Sequence, residues 1–446
     1  MLDGRPTRTR DGRVGFISKV WVFVFSATVF ATCLALMPES VREKPCSDCS
    51  GWYFPVAENL TNGKGLVVGE NDRPALDRPP GQVLLLSGLF HVLPAFISKQ
   101  SAVYVYNVFL LAVSAVLLFS ISYSFWGLSG GLITTGLWVS SPFVLWFLNQ
   151  PYSEVPFFVA LYSGVWLTLK ARRTEQSLGW LILLGIALGI ATLIRPIGFA
   201  LLVPIGVFLW ISARKQANKF RAVEMFFVVL GYAAILAPWQ IYLWDQTRAF
   251  NFLSEGAHGH RSVVEGFIFG IKSEEYKKEI ALHPDVRVFM EDMHEIVFLH
   301  ARDPELFEKY GPGGTYDIRS TRTLVQIAGD RFAEDLSLAV RFIWLKITRS
   351  WYGTDSHDRE GMAALLQSLY LIICVLGSIG AWKQKKGQSL VVLVWSVTAY
   401  FWMFSVAFTP LVRYMIPALG LLFLTAPGFC YFFRRKMMIT STDGLK

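Results

Sequence analysis

Residues 101–169, SAVYVYNVFLLAVSAVLLFSISYSFWGLSGGLITTGLWVSSPFVLWFLNQPYSEVPFFVALYSGVWLTL, contain one charged side chain, Glu154. A water-soluble domain has no use for so long an uncharged run. A bilayer crossing takes about 20 apolar residues, so the stretch accommodates about three of them. Similar runs flank it: Val20 to Met37 before, then Leu178 to Ile194, Pro196 to Ile211, Met225 to Trp244, Gly361 to Trp382, Gln388 to Val412 and Tyr414 to Phe433. With 53% hydrophobic and only 17% charged residues in a chain of 446, the interior faced by most of these segments is lipid. The expected fold is an all-α polytopic membrane protein with about ten transmembrane helices, juxtamembrane helices on the outer face and one large hydrophilic outer loop. Three regions follow: residues 1–244, an N-terminal membrane module that includes a first outer loop at 38–80; residues 245–360, the large loop; and residues 361–446, a C-terminal membrane module.

Orientation comes from Lys and Arg, because short basic loops stay cytoplasmic. The ends and short loops that fall on one side hold 19 basic and 5 acidic residues, while the loops 38–80 and 245–360 hold 20 basic and 27 acidic. Both termini are therefore expected in the cytoplasm and the large loop outside, and the net charge of +9 records topology. No basic face interleaved with aromatics is present, which argues against nucleic acid as a partner. The first apolar run lacks a small-residue cleavage site after Met37 and is expected to stay as a helix. The short apolar segment Gln82 to Ser98 is expected along the outer face, since a crossing there would put every later basic cluster on the wrong side. LSLAVRFIWLKITR, residues 336–349, spaces apolar residues as an interfacial helix does, with Arg341, Lys346 and Arg349 between them.

Candidate chemistry gathers at outer helix ends. Asp48 stands in the first outer loop, where a carboxylate at the membrane surface is able to take a proton from a hydroxyl. Arg78 precedes two prolines that fix its depth, as suits either a lipid phosphate contact or a headgroup anchor. Charges within apolar runs are expensive and face a cavity or a partner. Glu154, Arg195 and Arg413 are such charges, and all three are expected at the outer leaflet. Several arginines with a few carboxylates suit an anionic lipid headgroup or sugar phosphate. Each arginine snorkelling to the interface, with Glu154 paired to one of them, is the plainer alternative. His258 and His260 on a glycine-containing turn do not amount to a metal site. The CxxC of Cys46 and Cys49 reads as a local disulfide or a pair of idle thiols.

The segment DCSGWYFPVAENLTNGKGL from Asp48, followed by RPPG at Arg78, resembles the first outer loop of GT-C membrane glycosyltransferases. YSEVPFF at Tyr152, LGIALGIATLIRPIGF at Leu188 and its neighbours, LAPWQIYLW at Leu236 and RYMIP at Arg413 resemble later pieces of the same superfamily in the same order. The likeness is greatest to the group with protein O-mannosyltransferases, the lipid A aminoarabinose transferase and lipopolysaccharide sugar transferases. It implies an inverting transferase in a plasma (inner) membrane, taking a sugar from a polyprenyl-phosphate-linked donor to a lipid, glycan or protein acceptor. Asp48 is then the general base. Arg78 and Arg413 would meet the donor phosphate, Glu154 and Arg195 would shape the cavity, and Tyr53 and Tyr414 occupy motif positions. No second acid stands beside Asp48, although Asp72 and Asp77 are near in sequence, so a divalent metal is left open and no other cofactor is implied. A lipid-linked sugar flippase and an oligosaccharide ligase or polymerase are the competing readings. Transporters place charges near the midplane between repeated halves, and this chain has no repeat.

Overall fold

The computed structural model describes residues 10–42, 49–69, 73–94, 96–173, 178–215, 222–254, 257–271, 282–298, 318–354, 357, 359–385 and 387–430. The N-terminal half runs α1 (Arg10–Leu36), α2 (Phe54–Thr61), α3 (Gly81–His91), α4 (Lys99–Ser140), α5 (Glu154–Arg173), α6 (Leu178–Ile194), α7 (Leu202–Lys215) and α8 (Ala222–Thr247). The hydrophilic segment carries α9 (Ala257–Ile268), α10 (Pro284–Phe298), α11 (Ile318–Glu334) and α12 (Leu336–Arg349). The chain then returns to apolar helices α13 (Glu360–Trp382), α14 (Gln388–Ala407) and α15 (Val412–Leu422). The sheet content among the described residues is a two-residue antiparallel ladder, β1 (Val67–Val68) on β2 (Arg73–Pro74).

Five of the described helices are long and apolar enough to cross a membrane: Gly15–Leu36, Lys99–Ser140, Val223–Thr247, Glu360–Trp382 and Gln388–Ala407. α4 is two helices joined at Gly127, whose φ of 71° only a residue without Cβ adopts cheaply. Segments 178–194 and 196–211 form shorter apolar helices, and the run from Tyr414 yields the short helix α15 followed by turns. The expected all-α polytopic class is present, and among the described residues long and short apolar helices carry it together. α6 and α8 approach backbone to backbone. A Cβ on Gly185 would stand 2.0 Å from the Val228 carbonyl oxygen, and one on Gly231 would stand 2.3 Å from that of Ile182. Small residues are what permit such contact between apolar helices, where van der Waals packing replaces the hydrophobic effect.

The segment between α8 and α13 has a core of its own, with Phe289, Met290, Met293, Leu324 and Phe342 buried together. Its last helix starts where the amphipathic pattern says, because the Asp335 carboxylate accepts from the backbone N–H groups of Ser337 (2.8 Å) and Leu338 (3.1 Å). The expectation of a simple interfacial helix needs correction, however. Arg341 is exposed, but Lys346 and Arg349 are buried against α9 and the end of α14. The helix is a docking face between the hydrophilic segment and the bundle. α3 likewise ends at His91, short of Ser98, so the juxtamembrane element is one compact helix.

Candidate active site

Local backbone requirements bring the site together. The RPPG motif leads into α3, and Gly81 lies so close to α6 that a Cβ would meet the Leu193 carbonyl oxygen at 2.5 Å. That contact pins the residues after Arg78 beside the residue pair that precedes Arg195. Gln82, fully buried, donates through Nε2 to the Pro151 carbonyl at 2.8 Å and accepts from the Tyr106 hydroxyl at 3.3 Å. Asn107, also fully buried, donates to the carbonyls of Leu148 (3.1 Å) and Gln150 (2.7 Å). Buried amides are costly unless bonded, so these two hold the loop ahead of Glu154 in one conformation.

Glu154 opens α5 and is 4% exposed. Its Oε1 lies 2.6 Å from Nη1 of Arg195, which is 14% exposed and sits in extended backbone between α6 and the turn at Pro196. The same nitrogen donates to the Ser153 hydroxyl at 3.1 Å. The Arg195 guanidinium also lies over the Tyr414 ring at 5.7 Å, and Arg413 lies over that ring at 5.1 Å while donating to the Tyr414 hydroxyl at 3.2 Å. One carboxylate, two guanidiniums and a phenol from three distant parts of the chain therefore meet where α5, α6 and α15 begin or end. The pairing of Glu154 with an arginine, expected as the plainer alternative, is present, and it coexists with the convergence.

A second group forms around Arg78. Cys49–Tyr53 makes one wide π-type turn, and the Trp52 and Tyr53 rings, packed edge to face at 5.3 Å, each face the Arg78 guanidinium at 5.4 Å. Asp48, the residue just before this turn, lies outside the described residues, as do Cys46 and Asp72. Cys49 is buried and disulfide-bonded, while Cys33, Cys374 and Cys430 are free thiols. Asp77 is half-exposed, 3.9 Å from Arg73. Among the described residues no group of three His, Cys, Asp or Glu side chains is placed to hold a metal.

A third set was not foreseen. Arg349 is 1% exposed, and its Nη2 reaches Glu360 Oε1 at 2.5 Å, His357 Nδ1 at 2.8 Å and the Thr354 carbonyl at 3.0 Å, while Nη1 donates to the Pro410 carbonyl at 3.1 Å. Val412 N–H donates to the Gly353 carbonyl at 2.9 Å. The turn that delivers Arg413 is thereby fastened to the end of α12. One turn earlier on α12, Lys346 lies over the Phe267 and Phe342 rings and donates to the Ala407 carbonyl at 3.4 Å, and its burial lowers its pKa to about 7. Nothing in the amphipathic pattern of 336–349 distinguishes these two cations from Arg341. Gln82 and Asn107 likewise offered no signal beyond being polar residues in apolar surroundings.

The family model described as dolichyl-phosphate-mannose-protein mannosyltransferase matches residues 77–242, from just before Arg78 through Glu154 and Arg195 to the end of α8. No curated protein matches the chain. Among solved structures, the oligosaccharyltransferase AglB of Archaeoglobus fulgidus, in complex with an inhibitory peptide and a dolichol-phosphate, is 13% identical with a TM-score of 0.49, over 96% of this chain and 52% of that one. An A. fulgidus oligosaccharyltransferase with Zn and sulfate is 11% identical with a TM-score of 0.49, over 91% and 48%. ArnT from Cupriavidus metallidurans bound to undecaprenyl phosphate is 14% identical with a TM-score of 0.41, over 92% and 77%. The chain spans about half the length of the two archaeal proteins. The family match thus makes residues 77–242, which carry Arg78, Glu154 and Arg195, similar to the dolichyl-phosphate-mannose-protein mannosyltransferases.

Proposed function

We propose that this protein transfers a sugar from a polyprenyl-phosphate-linked donor to an acceptor hydroxyl at the outer face of the membrane, with inversion at the anomeric carbon. The observation that carries the reading is the meeting of Arg195, Arg413, Tyr414 and Glu154 at the helix ends. Two guanidiniums held beside one phenol are donors suited to a phosphate, and a lipid phosphate is the anion that reaches such a site from within the bilayer. The family match, whose description names a dolichyl-phosphate sugar donor, supports the same chemistry.

Asp48 is the proposed general base. It removes the proton of the acceptor hydroxyl as the oxygen attacks the anomeric carbon, and the bond to the polyprenyl phosphate oxygen breaks on the opposite side. Negative charge then grows on the leaving phosphate. Arg78, steadied by Trp52 and Tyr53, and Arg413, steadied by the Tyr414 ring, are the proposed electrostatic stabilisers of that charge. Arg195, neutralised by Glu154, sets the orientation of the Tyr414 ring between the two arginines. The test is reconstitution of the purified full chain in liposomes with a radiolabelled polyprenyl-phosphate sugar and a hydroxyl-bearing acceptor. Label appearing in acceptor, with unlabelled polyprenyl phosphate released, is the expected result. Label crossing the bilayer while still attached to its lipid would make the protein a flippase and overturn the reading.

A further inference from the structure

Trp52 carries a polar group that the fold leaves without a use. Its ring is buried, and its Nε1 has no hydrogen-bond acceptor. Three other buried indoles show what is ordinary in this chain. Trp126 donates to the Leu424 carbonyl at 2.9 Å, Trp138 to the Ser114 hydroxyl at 3.0 Å and Trp239 to the Leu253 carbonyl at 2.8 Å. Among the described residues, Trp52 Nε1 is the indole nitrogen that is both covered and unbonded. Covering an N–H without an acceptor is costly, and such a group in a folded protein marks a place where a ligand or a water completes the set.

The surroundings decide which acceptor fits. Trp52 belongs to the wide turn Cys49–Tyr53, and the Arg78 guanidinium lies over its ring at 5.4 Å. That contact uses the face of the indole, whereas the N–H lies in the ring plane, and a guanidinium has only donors to offer it. An oxygen that accepts from this N–H therefore sits beside a fixed positive charge, which favours an anionic oxygen. The turn has room to admit one, since a side chain at the exposed Gly51 would meet nothing within 4 Å. Turns of the π type, wound more widely than an α-helix, recur at functional sites.

We propose that Trp52 is a donor-binding residue of the proposed transfer site, whose Nε1–H donates to a non-bridging phosphate oxygen of the polyprenyl-phosphate donor alongside Arg78. The inference rests on the transferase reading above and adds to it a neutral hydrogen bond at the phosphate. The turn opens at Gly51 to admit the oxygen. The indole, which carries the guanidinium on its face, then holds the phosphate at its edge, so one side chain positions the cation and orients the anion.

The test replaces Trp52 by benzothienylalanine in the full chain, which keeps the bicyclic ring and its contact with Arg78 and puts sulfur where the N–H stood. Binding of polyprenyl phosphate in neutral detergent and thermal unfolding are the readouts. The variant is expected to bind polyprenyl phosphate about tenfold or more weakly, the size appropriate to one hydrogen bond to a charged group. It is expected to unfold no earlier than the parent, because no protein acceptor is lost. The same replacement at Trp138, whose N–H is bonded to Ser114, is expected to lower the unfolding midpoint. Parental affinity for polyprenyl phosphate in the Trp52 variant would overturn the proposal and leave the transferase reading intact, and a fall in midpoint as large as that at Trp138 would do the same. Weakened binding of the polyprenyl-phosphate sugar with parental binding of polyprenyl phosphate would move the bond to the sugar and overturn the phosphate assignment. A parent chain that binds no polyprenyl phosphate would sink the transferase reading itself, and this inference with it. If the benzothienyl variant does not fold, Trp52→Phe, which also lacks the N–H, carries the same comparison.

Discussion

Two buried arginine–glutamate pairs occupy the same end of the bundle, and they are built differently. Arg349 has both terminal nitrogens engaged by protein, to Glu360, His357 and two backbone carbonyls, and it is 1% exposed. Arg195 has an accessible edge, and among the described residues it bonds to protein through Nη1 alone, to Glu154 and Ser153. An arginine this deeply enclosed, with both terminal nitrogens on fixed acceptors, has nothing accessible to offer a ligand. It serves as a fastener, here between the hydrophilic segment and the turn before Arg413. The half-engaged arginine beside Tyr414 keeps donors accessible to a ligand.

The largest effect is expected at the pair of Arg349 and Glu360. Arg349→Met leaves the half-buried Glu360 charge with only His357 and the Thr354 N–H and releases the Pro410 carbonyl, and a loss of about 3–5 kcal/mol is expected. Thermal unfolding in detergent, with proteolysis of residues 245–360 as a second readout, measures it. A variant as stable as the parent would erase the distinction between the two arginines.

Lys346 gives an effect nearly as large, and its sign follows from burial. The folded protein holds its pKa at about 7, well below the unfolded value, so the unfolded chain binds more protons between pH 7 and about 10.5. Stability is therefore expected to rise as pH climbs through that window, while the full burden of burying the charge is present below pH 7. The whole excursion is on the order of 5 kcal/mol as an upper limit. Lys346→Met should be more stable than the parent at pH 6 and should lose this component of the pH dependence. A parallel pair of curves would remove Lys346 as its source.

Gly81→Ala sharpens the comparison from the side of the proposed transfer site. The new Cβ meets backbone at 2.5 Å, which cannot swing aside as a side chain would, so α3 must shift from α6. A loss of about 1–3 kcal/mol is expected, with a drop in turnover because Arg78 moves relative to Arg195. Donor affinity and turnover unchanged would show that α3 does not set the site.

The smallest stability effect belongs to Arg195→Lys. A lysine keeps the charge opposite Glu154 but loses the planar fork, so stability should change by less than about 1 kcal/mol while sugar transfer falls by about tenfold or more. The same substitution at Arg349, whose acceptors are arranged around a guanidinium, should cost several times more stability. Equal losses at the two positions would collapse the contrast.

These differences also mark what the sequence could and could not disclose. The membrane class was legible because uncharged length is a local property, and residues 101–169 state it without reference to any other segment. The gathering of Glu154, Arg195, Arg413 and Tyr414 at one end was legible in outline, since each charge interrupts an apolar run at a helix end on the same side. Whether such a charge is spent on protein or held for a ligand depends on acceptors far away in sequence. Arg349 bonds to Pro410 across 61 positions, and no periodicity within residues 336–349 carries that information. Buried Lys346 and exposed Arg341 lie on the same amphipathic helix and differ only in what packs against them. The break at Gly127 escaped for the opposite reason, being a single backbone conformation inside a uniformly apolar run.

Asp48→Asn in the reconstituted protein, assayed by single-turnover transfer from a radiolabelled polyprenyl-phosphate sugar, tests the central claim most directly. The amide keeps the shape of the carboxylate and cannot take the proton of the acceptor. Donor binding should persist while transfer falls by about 10²–10⁴-fold, the range that general base catalysis supplies. Transfer at the parental rate would contradict the assignment of Asp48 as base.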